Sequence, residues 1–293
     1  MRIDERGITL HQSDLKSHCL EQMRLYMVSE GPRMETDAAT VGTVLHAVID
    51  YELQVAGFES EGDAVAWAAA HYVHLLEKYQ EAGAHYNMST FDTHDKALRA
   101  LSWLVKSWYH CPERTELVYS GEIDFVSEWS FDLKFMDVEV KKHGKKAEVI
   151  PVYLAGQADL VAGGRVYDWK TAGSEYKQWE YQRWGRQPDV YTWAAAESGL
   201  IKPDRDGLYY FDFKVFVRRQ EIRLPDTITV KRSANHWDWL KVMISRLVNM
   251  QYSLGLDVGW PLDDQHVLCS PKWCPFFSTT CKGKLIDAEK GWT

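Results

Sequence analysis

The sequence predicts one α/β or α+β domain, a sheet with helices around it. Three observations carry this reading. Helical periodicity fills much of the chain before residue 116, strand-like alternation fills about 116–169, and helical periodicity returns at 177–198. In order, residues 12–28 read as a first helix carrying Cys19, and 38–55 as a second with Val44, Val48 and Tyr51 on one face. Residues 62–82 and 92–110 are further helices, rich in Ala, Leu and Trp. The strands are LVYSGEIDFVSEWSFDLKF, AEVIPVYLAGQADLVA and RVYDWK, then GLYYFDFKVFV at 207–217 and another at 221–230. A last helix covers 233–254, and the tail 257–293 is irregular. No internal repeat or low-complexity linker divides the chain, so residues 1–293 are expected to form a single domain.

Composition narrows the class. The 293 residues are 45% hydrophobic and 26% charged, ordinary for a globular protein. No apolar run reaches the length of a membrane span, so no membrane partner is expected. The N-terminus MRIDERGITLHQSDLK is charged and unlike a secretory signal, which predicts an intracellular, cytoplasmic protein with reduced thiols. Five cysteines, an odd count, argue against a disulfide framework. A net charge of −8 alone argues against a nucleic-acid partner, but the basic residues are grouped. They fall in KKHGKK at 141–146, in VRRQEIR at 217–223, and at Lys177, Arg183 and Arg186. The plain reading of each group is a solvated surface.

The chemistry concentrates in GQADLVAGGRVYDWKT, residues 156–171. Gly163-Gly164 is a two-residue hairpin signal. Counting outward from it pairs Ala162 with Arg165, Val161 with Val166, Leu160 with Tyr167, and Asp159 with Asp168. Asp168 and Lys170 then share one face, while Leu160, Tyr167 and Trp169 point to the other, toward a core. Two carboxylates directly opposite repel, so a divalent cation is the expected companion. Glu128, in the strand VSEWSF, His46, on a helix after Gly42 and Thr43, and the i,i+4 pair Gln187 and Tyr191 complete the polar set. Carboxylates with a His or Glu make an oxygen-rich site for Mg²⁺ or Mn²⁺, and a nearby Lys can orient a water or stabilise an oxyanion. That combination fits phosphodiester hydrolysis.

These residues resemble the PD-(D/E)XK nuclease superfamily, in particular its RecB-type exonuclease branch, which includes CRISPR-associated and helicase-linked exonucleases. The match is an ordered set: Gly42-Thr43-Val44-Leu45-His46 as G-x-x-x-H, Gly156-Gln157-Ala158-Asp159-Leu160 as G-x-x-D-L, Asp168-Trp169-Lys170-Thr171 as D-x-K-T, and Gln187 to Tyr191 as Q-x-x-x-Y. The resemblance implies a restriction-endonuclease-like α/β fold, a central mixed sheet flanked by helices. It divides the chain into a helical part at 31–115 and a catalytic sheet and helix at 116–230. It also implies roles. His46, Asp159, Asp168 and the Trp169 carbonyl would hold Mg²⁺ or Mn²⁺, and Lys170 would be the catalytic lysine. Gln187 and Tyr191 would contact DNA or brace the site. Glu128 fits the acidic residue of a preceding strand, with Glu122 and Asp124 competing for that place.

The tail holds Cys269, Cys274 and Cys281 in CSPKWCPFFSTTC. Three cysteines this close look like a metal or cluster site. The iron–sulfur subset of the branch implies a [4Fe–4S] cluster on these three and Cys19, with 1–30 and 257–293 as cluster-binding ends joined by it. The spacing C-x₄-C-x₆-C is looser than the subset's, and Zn²⁺ is the alternative, with His266 or Cys19 as fourth ligand. Cys111 stands alone as a buried small residue. Trp169, Trp179, Trp184 and Trp193, interleaved with Lys177, Arg183 and Arg186, would suit single-strand binding, against a plain reading as core.

The expected activity is a metal-dependent deoxyribonuclease, an exonuclease on single-stranded or free DNA ends with 5′→3′ polarity by resemblance to stand-alone members. Endonuclease cutting is compatible with the same site. No G-x-x-x-x-G-K-[ST] loop is present, so any motor is a separate helicase, recombinase or integration partner, in recombination, repair or a phage setting. The alternative is a non-cutting DNA-end-binding subunit of a recombination or CRISPR-type complex.

Overall fold

A computed structural model describes residues 2–12, 14–16, 34–55, 57–121, 123–141, 146–175 and 186–254. Cys19, Cys269, Cys274, Cys281, His266, Glu122, Lys177, Arg183, Trp179 and Trp184 lie outside these, as does most of the expected first helix. In chain order the elements are β1 (Arg2–Asp4), β2 (Gly7–His11), β3 (Met34–Thr36), α1 (Asp37–Val55), α2 (Glu61–Glu81), β4 (His85–Asn87) and α3 (His94–Tyr109). They continue with α4 (Pro112–Thr115), β5 (Phe125–Val140), β6 (Glu148–Ala162), β7 (Arg165–Ala172), α5 (Gln187–Glu197), β8 (Tyr209–Val217), β9 (Asp226–Arg232) and α6 (Ala234–Leu254). Among the described residues no helix is long and apolar enough to cross a membrane.

The chain divides into two compact units, neither contiguous in sequence. The first takes residues from 1–32, 131–156 and 234–293. In it β1 and β2 form an antiparallel hairpin, and β2 runs parallel to β6 with Ile8 opposite Val152 and Leu10 opposite Leu154. All four of these apolar side chains are buried.

The second unit, Arg33–Ser130 and Gln157–Ser233, is a helix–sheet–helix sandwich. Its sheet is mixed: β6–β7 antiparallel, β7–β8 parallel, β8–β9 antiparallel. Alternation sorts the strands. Leu160, Trp169 and Phe216 join Val44, Leu45 and Val48 of α1, Tyr72 of α2 and Trp108 of α3 in one core. On the opposite face Phe211 meets Tyr191 of α5 at 6.2 Å and Phe213 at 4.8 Å. Helices α2 and α3 start at polar caps: Ser60 accepts from Asp63 N and Thr93 from Lys96 N, at 3.2 and 3.3 Å. At the head of α1 the buried Asp37 accepts from the amides of Ala38, Thr90 and Phe91, tying a distant loop to the helix start.

Three departures from the sequence reading have local causes. Residues 117–120, read as strand, continue from α4 as a π-type turn to Ser120. Pro112 starts that helical run, where its missing N–H costs nothing, and Gly121, at φ 62°, ends it. The last strand begins at Asp226 rather than 221, just after Pro225, which cannot donate to a ladder. Tyr51 is not on the buried face of α1: it is 39% exposed, stacks on Trp67 and meets Phe58 in a tilted contact, each at 5.1 Å. Cys111 is buried, as its lone position implied, and burial followed by the Glu113 carboxylate pushes its thiol up to about 12.

Candidate active site

The polar residues of the ordered motif set converge in the second unit. The β6–β7 hairpin turns on Gly163 and Gly164 at φ 54° and 74°, the left-handed pair that a two-residue turn needs. The ladder runs Ala162↔Arg165, Val161↔Val166, Leu160↔Tyr167, as counted. One position further the Asp159 carboxylate reaches across to the backbone: its Oδ2 accepts from the Trp169 amide at 2.6 Å. Trp169 thus meets Asp159 through its N–H.

The other Asp159 oxygen lies 3.4 Å from Nδ1 of His46. What brings His46 there is a close approach one turn earlier on α1. A β-carbon on Gly42 would stand 3.0 Å from the Thr171 hydroxyl, so glycine lets the helix settle on β7. The first residue of the G-x-x-x-H segment and the last of D-W-K-T are therefore one contact.

Asp168 is 2% exposed and occupies the opposite face from Trp169. Its Oδ1 accepts from the Gln187 amide. Its Oδ2 lies 2.5 Å from the Lys170 ammonium, yet it is buried without a hydrogen bond of regular geometry. Lys170 itself is 32% exposed. Gln187 and Tyr191, on adjoining turns of α5, are 4% and 3% exposed. At that burial they present little surface, and Gln187 braces the Asp168 carboxylate through its side-chain amide.

Electrostatics push the paired groups apart. Burial works to raise Asp159, but His46, then Lys170 and the Trp169 amide, hold it below the usual carboxylate range. Burial raises Asp168, Lys170 opposes this, and Asp159 adds to it, so Asp168 sits above its ordinary value. Burial lowers His46, but Asp159 and Asp168 outweigh that and raise it. Burial raises Tyr191, with Asp168 and Asp159 adding to it.

Glu128 belongs to the same neighbourhood. Burial, then Asp159 and Asp50, push it up to about 7. Its backbone is held at φ 48°, rare for a residue with a side chain. Its carbonyl accepts from the Gln157 side chain at 3.4 Å. Asp124 is exposed and lines a surface pocket at the hairpin tip instead. Asp50 was not singled out from sequence, although it lies four residues after His46, on the same helix face. Both its oxygens accept from Gln54 at 2.8 Å.

Other expected residues lie elsewhere. Arg186 precedes α5 and pairs with Asp189 at 3.6 Å. Trp169 and Trp193 are 2% and 6% exposed; Trp169 packs on Trp108 at 5.6 Å, so these two are core and offer no stacking surface. Among the described residues, no three His, Cys, Asp or Glu side chains stand close enough together to hold a metal ion. The donor chemistry nevertheless fits a hard divalent cation: two carboxylates and an imidazole, with one buried carboxylate oxygen lacking a regular hydrogen bond. In this structure the Asp159 carboxylate faces His46 and the Asp168 carboxylate faces Lys170.

A family model described as the PD-(D/E)XK nuclease superfamily matches residues 11–277. No curated protein matches the chain.

Proposed function

The chain belongs to the PD-(D/E)XK nuclease superfamily, and from that premise we propose that it is a metal-dependent deoxyribonuclease that hydrolyses phosphodiester bonds. The reading extends to exonuclease action on single-stranded or free ends, with 5′→3′ polarity, in DNA recombination, repair or processing. The observation that carries the chemistry is the buried Asp168 oxygen beside Lys170, 2.5 Å away, with Asp159 and His46 paired next to it.

His46, Asp159 and Asp168, with the Trp169 carbonyl, are the residues that would hold Mg²⁺ or Mn²⁺. Bound there, the cation supplies Lewis-acid polarisation of the phosphate and a more acidic water. The chain supplies the rest. Lys170 is partly exposed and positively charged, suited to orient a water or to balance negative charge growing on the phosphate. Gln187 fixes the Asp168 carboxylate from α5, and the Trp169 amide fixes that of Asp159. Glu128, beside Asp159, is a candidate to accept a proton near neutral pH. Lys177, Arg183 and Arg186 are proposed to meet the DNA backbone. Cys19, Cys269, Cys274 and Cys281 are assigned to a structural [4Fe–4S] cluster, with Zn²⁺ as the alternative. Iron, sulfide and zinc content of the purified protein tests that assignment.

The deciding experiment for cleavage uses end-labelled single- and double-stranded DNA with Mg²⁺, Mn²⁺ or EDTA, wild type beside Lys170→Ala. Metal-dependent shortening from one end, lost in the variant, is expected and gives the polarity. Intact DNA with every metal would overturn the reading in favour of a non-cutting end-binding subunit.

A further inference from the structure

The arginines of VRRQEIR have no part in the site above, and the plain reading makes them solvated surface. Their placement says more. Strands β7 and β8 run parallel, so their C-terminal ends lie side by side, with Lys170 opposite Val215 and Ala172 opposite Val217. Ligands of open α/β sheets are met beyond the carboxyl ends of such strands. The Arg218 amide donates to the Ala172 carbonyl at 2.8 Å, two residues past Lys170. At about 3.3 Å per residue, that is about 7 Å along the strand from the Lys170 backbone.

The side chains are organised around one carboxylate. Arg223 Nη1 donates to Glu175 Oε1 at 2.6 Å, and Arg219 Nη2 lies 3.6 Å from the same oxygen. Glu175 is itself 55% exposed, on the segment that leaves β7. Arg218 Nη2 lies 3.4 Å from where a β-carbon on Gly173 would stand, and its guanidinium sits 5.5 Å over the Phe91 ring. The Arg223 backbone is anchored to the helical layer by Ser107, whose hydroxyl accepts its amide at 3.1 Å. Asp226 also meets Arg223, and Glu221 meets Arg219, at 3.3 and 3.9 Å. Three guanidiniums thus line the strand ends, two of them sharing a single exposed anionic oxygen. An oxygen held by two guanidiniums is the arrangement a phosphate would take.

We propose that Arg218, Arg219 and Arg223 form a binding rim for the phosphates of the DNA strand that enters the active site, and that Glu175 occupies it as an internal anion until DNA displaces it. For the identity of its ligand the proposal rests on the nuclease reading. For its geometry it rests on the shared Glu175 oxygen and the position beyond β7. Glu175 therefore opposes binding, so its removal and removal of the arginines act in opposite directions. A surface that merely solvates the fold would show neither effect.

The test is fluorescence anisotropy of a labelled single-stranded oligonucleotide in EDTA, so that binding is read without cutting. Wild type is compared with the double variant Arg219→Ala, Arg223→Ala and with Glu175→Gln, over a salt series, folding being checked by circular dichroism. The double variant is expected to bind about tenfold more weakly. Its slope of log affinity against log salt should be shallower by about 1.4, since each phosphate contact on a single strand contributes about 0.7. Glu175→Gln is expected to bind more tightly. Wild-type affinity and slope in both variants would overturn the rim and leave the nuclease reading intact. Weakening by Glu175→Gln equal to that of the arginine variant would also overturn it, because the cluster would then be a structural brace. These shifts without cleavage under any metal would support the rim and remove the nuclease reading alone.

Discussion

Two buried carboxylates of the second unit, Glu52 and Asp168, divide along what each is given as partners. Glu52 is fully buried, and both its oxygens are satisfied. Oε1 accepts from Arg114 Nε and Nη2 at 2.9 and 2.6 Å and from the Phe58 amide at 3.3 Å; Oε2 accepts from Trp108 Nε1 at 2.6 Å. Arg114 in turn lies 3.8 Å over the Tyr109 ring. Asp168 has one oxygen on Gln187 and the other against Lys170 without a regular hydrogen bond. A buried charge whose two oxygens are both hydrogen-bonded within the core fixes a fold; one whose second oxygen is held by a partly exposed lysine can take a further partner. Burial alone does not separate them, since both are almost wholly inaccessible.

The comparison predicts opposite responses to mutation. The largest effect falls on activity: Asp168→Asn should slow metal-dependent DNA cleavage at least about a hundredfold. Its unfolding free energy, from urea titration, should change by no more than about 1 kcal/mol, because the lost ion pair is offset by removal of an incompletely satisfied charge. Arg114→Ala should do the reverse. It strands the Glu52 carboxylate in the core, which costs about 3–5 kcal/mol. Cleavage by whatever fraction remains folded should keep its normal rate. Equal loss of stability in the two variants would remove the distinction between the two carboxylates.

A smaller effect tests how the site is assembled. Gly42→Ala gains about 1 kcal/mol of helix propensity and gives up a similar amount at the tight contact with Thr171. Stability should hardly move, while displacement of His46 slows cleavage roughly tenfold. Adding Thr171→Ala removes the hydroxyl that the new methyl meets, and should restore the rate. A Gly42→Ala enzyme at full speed would mean that this contact does not position His46.

Much of this site was legible because its information is local. The turn at Gly163-Gly164 sets the hairpin register, register sets the face shared by Asp168 and Lys170, and helical spacing sets Gln187 beside Tyr191. The helix read at 38–55 is observed at Asp37–Val55. What local pattern cannot carry is long-range partnership. Nothing in RIDERGITLH announces that Ile8 will pair in parallel with Val152, more than a hundred residues away. Burial of Gln187 and Tyr191 depends on α5 packing on a sheet that the helix sequence does not describe. Asp50 was readable from its spacing to His46, but not its charge acting on Glu128, a residue of a strand far away in sequence.

Glu128 is the intermediate case between the two carboxylates, half-buried, with the charges of Asp159 and Asp50 outweighing that of His46. Burial first, then those two charges, move it from 4.5 to about 7. The folded state therefore binds more protons than the unfolded chain between these values, and stability falls as pH rises through the window. Glu128→Gln removes the penalty. In EDTA the variant should be more stable than wild type at pH 8, by on the order of 1 kcal/mol after allowing for solvent screening of a partly exposed group. The gap should shrink as pH falls toward 4.5. The φ of 48° is common to both proteins and cancels in this comparison, whereas Glu128→Gly should relieve the backbone at every pH. Repeating the pH 8 measurement with Mn²⁺ sharpens the contrast with Glu52. A gap that closes or reverses would put Glu128 within reach of a bound cation and on the Asp168 side of the division. A gap that stays the same would leave it a strained strand residue with no share in the metal.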